Sequence, residues 1–287
     1  MVLEDIVIPE SMECHPARML IVGFIYAIIG IFLGYFVFGK YASISGIFIT
    51  TIPLVLIVYR TIRYEEEKCV QITKELPLLK EHTRAMLLFI YLFLGMAFAY
   101  SVCFTILPDN MVKTIFEAQI ETVTSVRGGM SSVGQFTGTE GRLGMILANN
   151  FKVLAFCILF SFLYGSGAIF ILAWNASVIG VAMGDIVRTG LQGIADYTNI
   201  DFFYNYFQAF PMSLTYLIHG IPEVAAYFFA ALGGGIISVG MARYQRHHHS
   251  NENVRHIIFD SLDLLILSVL ILVAAALVEV YVTPVVF

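Results

Sequence analysis

His219 and Glu223 stand one helical turn apart inside one of the long apolar stretches of this 287-residue chain. If a helix runs through Pro222, residues four apart project from one face. An imidazole and a carboxylate so placed can pass a proton or hold a cation. An ionisable group at membrane depth costs at least ~2.5–3.5 kcal/mol on insertion scales, so the pair calls for a reason. Two readings stand. In one, the pair titrates protons or coordinates a cation on a pathway. In the other, which we favour, Pro222 opens a helix and Glu223 sits in its first turn, answering the positive end of the dipole, while His219 is interfacial. Below Glu223 come Ala226, Ala230, Gly234 and Ser238. A stripe of small residues lets another helix approach closely, so this face heads a packing seam and not a lipid surface.

Other polar residues invite the same weighing. Asn149 and Asn150 precede an apolar run and Asn175 lies within it, places where asparagine caps helices or bonds freed backbone groups. Lys152 can reach the interface, and Asp185 and Arg188 are close enough in sequence to pair. Glu279 lies near the end of the last apolar run, where a structural partner in the bundle is favoured over snorkelling to the surface. Gly30/Gly34 and Gly180/Gly184 are GxxxG pairs, which mark close helix contacts. Glu65, Glu66 and Glu67 read as a solvated helical face. His247–His249 with His256 could bind a metal, yet a solvated loop is favoured, and no metal site or cofactor is assigned. Cys14, Cys69, Cys103 and Cys157 lack CxxC spacing; the last two read as small buried hydrophobes. GxSxG, HExxH and Walker patterns are absent, so no catalytic residue is named, and intramembrane hydrolysis is set aside for want of a third ligand to the HxxxE pair.

The elements that must position these residues are membrane helices. Hydrophobic residues make up 59% of the chain and charged residues 13%, with a mean hydropathy of +0.83. Such a chain cannot cover its core with a polar surface, but lipid removes that need. The apolar runs are continuous, unlike the ~10-residue alternation of a membrane barrel. The net charge of −5 comes without a basic stripe, which argues against nucleic acid as a partner. The acidic start lacks the positive region of a signal peptide, so the first run is expected to be a retained helix.

Spans are predicted at 19–38 and 41–59, a tight hairpin, followed by a charged linker at 60–84 and a third span at 85–107. Residues 108–150 read as a polar outer region, with an amphipathic piece at 111–126 and a Gly/Ser-rich piece at 128–144. The apolar segment 151–184 would be roughly 50 Å long as one helix, well beyond a bilayer core. Break points are expected at Gly165–Ser166–Gly167 and Trp174–Asn175, giving a short hairpin or a re-entrant pair. Aromatic residues at 201–210 suit the headgroup level. A second long segment, 211–241, is expected to be interrupted at 219–222, and the last span covers 257–282. The fold class expected is an all-α polytopic transmembrane helical bundle with interrupted or re-entrant helices.

Charge counting tests the fold-back. The 60–84 linker, the richest in Lys and Arg, should be cytoplasmic, which puts the N-terminus inside. If 151–184 crossed once, the loop with Arg243, Arg246 and Arg255 would face outward, against the positive-inside rule. If it returns, that loop is inside and the C-terminus outside.

The string NNFKVLAFCILFSFLYGSGAIFILAWNASVIGVAMG resembles a block of the stage II sporulation protein M family. HGIPEVAAYFFAALGGGIISVG and AAALVEVYVTP resemble that family's next two blocks, in the same order. The resemblance covers about residues 85–287, and its matching positions are Asn149, Asn150, Gly165, Gly167, Asn175, Gly180, His219, Gly220, Glu223, Glu279 and Pro284. It implies a five-crossing core with its C-terminus outside. The sporulation member is a membrane scaffold for cell-wall-degrading partners; residues 1–59 are an added hairpin here, so that particular role is not carried over.

Two functions follow as expectations. One is a non-enzymatic scaffold or subunit of a cell-envelope membrane complex, embedded in the lipid bilayer as a homo-oligomer or with membrane-protein partners. The other is a channel or transporter with its site near Asn175, His219 and Glu223, since broken helices beside buried ionisable groups are a recurrent way to build one.

Overall fold

The computed structural model describes residues 15–72, 75–191, 209–245 and 251–282. Cys14, the stretch 201–208, Arg246, His247–His249 and Pro284 lie outside the described residues, as do the side chains of 126–140 and of His219. The chain is an all-α polytopic membrane bundle. Its helices are α1 (Arg18–Phe38), α2 (Ala42–Gln71), α3 (Glu75–Ile106), α4 (Asp109–Ile115), α5 (Glu117–Tyr164), α6 (Ile169–Gly190), α7 (Thr215–Gln245) and α8 (Asn251–Leu277), the last continuing into a wider π-helical turn at Val278–Val282. Among the described residues, six stretches are long and apolar enough to cross a membrane, and the first, Arg18–Gln71, contains both α1 and α2.

The first helix turns mostly small residues inward and large ones outward. α1 buries Gly23, Ala27, Gly30 and Gly34 and exposes Ile21, Ile25, Ile29 and Leu33. Lipid does not penalise the exposed face, so packing is driven by how closely backbones can approach. Gly39, at φ +52°, closes the α1–α2 hairpin, a conformation glycine adopts without steric cost. A Cβ at Gly34 would lie 2.8 Å from the Gly46 backbone, and one at Gly30 would run into the Thr50 hydroxyl. α1 crosses α3 through Gly23 and Gly95, each set against the other helix's backbone.

The expected fold-back is present as a full hairpin. α5 ends at Gly165, at φ +65°, and α6 starts at Ile169. Its arms, Gly141–Tyr164 and Ile169–Gly190, are 24 and 22 residues long, each long and apolar enough to cross a membrane. The second expected break is not there: α6 runs unbroken through Trp174 and Asn175. The interruption expected at 219–222 is not there either, because α7 continues through Pro222. A membrane helix tolerates such a proline where neighbouring helices re-satisfy the freed backbone. α7 is the most enclosed crossing, with 78% of its apolar window buried against 28% for the α5 arm.

Two segments read as polar connections are largely helical. α2 extends to Gln71 and α3 begins at Glu75, so most of 60–84 prolongs the two membrane helices. The region 108–150 forms α4 and the first part of the 48-residue α5, Gly/Ser-rich piece included.

The two ends of the bundle can be told apart. Gly165 approaches Tyr59 and Val239 at one end, while Gly190 meets Ala209 at the other. Arg243 pairs with Glu66 at 2.7 Å and with Glu67 at 2.5 Å. The end of α7 therefore shares a side with the α2 extension, which requires 151–184 to cross twice.

Candidate functional site

Three helices bring their polar residues together at the α4 end of the bundle. Glu223 is the ninth residue of α7, well past the first turn, so it does not serve the helix dipole as expected. It faces α5, where the Asn150 amide donates to its Oε1 at 2.5 Å. The carboxyl of Glu279, carried on the π-helical turn that ends α8, lies near enough to Glu223 for the two charges to interact. Asn150 is buried, and both glutamates are half-buried. The widened turn also sets Glu279 off the regular helical register, and π turns recur at functional positions.

The other residues read from the sequence lie apart from this trio. Asn149 is exposed. Asn175 donates to its own helix at Ile171 O, 2.8 Å away. Arg188 pairs with Asp109 and donates to Phe104 O at 2.6 Å and Leu107 O at 2.9 Å, closing the carbonyl end of α3. Ala226, Ala230 and Gly234 are buried and Ser238 is half-buried; a Cβ on Gly234 would lie 3.1 Å from Ile158 O of α5. Gly180 and Gly184 sit against α3, where a Cβ would come within 2.6 Å of Ala97 O and 2.8 Å of Ser101 O. Gly167 is held 2.6 Å from Phe160 O by the same measure.

Two polar clusters went unseen in the sequence. At the α4 end, Gln119 Oε1 accepts from Ser43 at 2.7 Å and its amide donates to Ser177 at 3.3 Å, tying α5 to α2 and α6. At the opposite end, the glutamates read as a solvated face are partly interior: Glu65 and Glu66 have no exposure at all. The α3 segment packed over this end of α2 closes off that face. Glu65 accepts from Lys68 at 2.7 Å and from His82 Nδ1 at 2.6 Å. His82 Nε2 reaches Cys69 Sγ at 3.8 Å. Cysteine, histidine and carboxylate in this order match the nucleophile, base and orienter of a thiol enzyme. Cys69 and His82 are only 3% and 2% exposed, however, and no substrate-sized group can reach the sulfur. The cluster is a buried lock between α2 and α3. Nothing in the spacing of 65, 69 and 82 announced it, because the pairing depends on how two helices cross.

The sequence model of stage II sporulation protein M matches residues 85–284. An uncharacterized protein of Methanocaldococcus jannaschii is 30% identical over 142 residues, which cover 48% of this chain and 69% of that protein. No solved structure matches. Asn150, Glu223 and Glu279 all fall within the family match, whereas Glu65, Glu66 and His82 precede it.

Proposed function

Because the chain belongs to the stage II sporulation protein M family, we propose that it serves as a non-enzymatic scaffold or subunit of a cell-envelope membrane complex. The observation that carries this reading is how the polar groups inside the bundle are used: Asn150 donates to Glu223 across the α5–α7 interface, with the Glu279 carboxyl of α8's last turn close by. Groups committed to holding helices together rigidify the bundle and leave partner contacts to its two ends. Lys and Arg counts put the α2–α3 extension on the cytoplasmic side and the α4 end outside. Recruitment then falls to the outer 108–150 region and to the outward faces of the α2–α3 extension.

A photo-crosslinking residue at Thr124, exposed on the outer part of α5, should give discrete adducts in cells, whereas one at lipid-facing Leu33 should not. Absence of any adduct at 124 and at the exposed 63 and 84 positions would overturn the scaffold reading. The permeation reading is motivated by the contact between Glu223 and Glu279. Its test is flux of protons, cations and small solutes into liposomes holding wild type or Glu223→Gln. Flux no higher than in empty liposomes is the expected result, and flux abolished by the substitution would count against a pure scaffold.

A further inference from the structure

A surface recess of about 350 Å³ lies between the end of α7 and the start of α8, lined by Tyr244, Asn251, Val254, Arg255, Ile258 and Phe259. Its place along the bundle follows from packing. A Cβ on Gly240 would lie 2.9 Å from Ile257, and the neighbouring Val239 touches the Gly165 turn where α5 and α6 leave the membrane. Arg255 is therefore within a turn of the level at which the hairpin meets water, the depth of lipid headgroups. Its guanidinium packs over the Phe259 ring, 5.6 Å from the centroid, and has no carboxylate partner among the described residues. The Tyr244 hydroxyl donates to Asn251 Oδ1 at 2.8 Å, which fixes both against the recess wall.

Below the recess α8 exposes Ile258, Phe259, Leu262 and Ile266, with Asp263 beside them. A cation above a largely apolar track matches the shape of a phospholipid, with phosphate on the guanidinium and an acyl chain along the helix. Glu252 and Asp263 flank the site on α8, one turn above and two turns below Arg255, and neither lines the recess. The connecting sequence 246–250 carries one arginine and three histidines, so its charge has the same sign as Arg255.

We infer that this recess binds the phosphate headgroup of an anionic phospholipid through Arg255, with the lipid's chain against Phe259 and Leu262. Free phosphate would make no use of the apolar track, which is why a lipid is the occupant.

The test is native mass spectrometry of the full chain, released from micelles containing equal amounts of phosphatidylglycerol and phosphatidylcholine. Wild type should retain phosphatidylglycerol preferentially. One surface arginine contributes about 1 kcal/mol toward an anionic lipid, so Arg255→Gln should lower retention about fivefold and Arg255→Lys should largely restore it. Arg84→Gln, an exposed cation at the same end, should change little. Equal retention in wild type and Arg255→Gln would overturn the inference. So would an equal loss in Arg84→Gln, which would mean diffuse surface charge. Displacement of the lipid by millimolar inorganic phosphate would also overturn it, by assigning the recess to the free ion.

Discussion

Asn149 and Asn150 are adjacent and chemically identical, yet they face opposite surroundings. Asn150 donates to Glu223 across the α5–α7 interface, while Asn149 is exposed. Leaving a fully buried polar group without its partner costs roughly 1–3 kcal/mol; Glu223 is half-buried, so Asn150→Leu should lower the unfolding free energy measured by SDS titration by about 1 kcal/mol, the low end of that range. Asn149→Leu should stay within about 0.5 kcal/mol, as most substitutions of exposed residues do. Equal effects would mean that the Asn150–Glu223 bond contributes nothing to stability. The same contrast separates two arginines. Arg243 reaches the wholly buried Glu66, and stripping a buried charge of its partner costs about 3–5 kcal/mol. Arg63 pairs with Glu67 in water at 3.7 Å, an arrangement worth roughly 0–1 kcal/mol. Arg243→Ala should therefore be the more damaging of the two in the same titration. The sequence marked Glu223 and Asn150 as unusual because polar groups in apolar runs stand out. It could not distinguish the two asparagines, because which face of α5 is covered depends on where α7 lies.

Contacts between helices are made by glycines whose role differs with their neighbours. Gly180 and Gly184 bring α6 onto the α3 backbone, whereas Gly144 has open space around it. Gly180→Val should reduce the yield of monodisperse protein by size-exclusion chromatography, and Gly144→Ala should not; a normal elution profile for Gly180→Val would refute the close crossing. GxxxG spacing pointed to Gly30, Gly34, Gly180 and Gly184. It passed over Gly23 and Gly95, which form the α1–α3 crossing one glycine per helix, since a contact of that kind leaves no spacing within either strand of sequence. Pro222 misled for a related reason. Proline breaks an isolated helix, but α7 stays helical through it, enclosed by the helices around it.

Over the whole molecule, the Arg243–Glu66 pair sets the side on which α7 ends, and Gly165 separates the two crossings of the α5–α6 hairpin. A cysteine placed at Gly190 and one placed at Tyr164, in a background without the native cysteines, should react with an impermeant maleimide from opposite faces of sealed vesicles. Labelling of both from one face would refute the double crossing. Composition and the length of the apolar runs were enough, unaided, to determine a polytopic helical membrane protein, since a bilayer imposes a length on every helix that spans it. Lys and Arg counting with the excess length of 151–184 also determined that this segment returns. Tertiary structure alone decided which break was used, that α7 runs through its proline, and that Glu65 and Glu66 lie inside. It alone placed Glu223 against both Asn150 and Glu279, in a clasp formed without Asn175. The physical reason is common to these: a residue's type and spacing fix what it can bond, while its burial and partner are set by the helix that packs across it, far away in sequence.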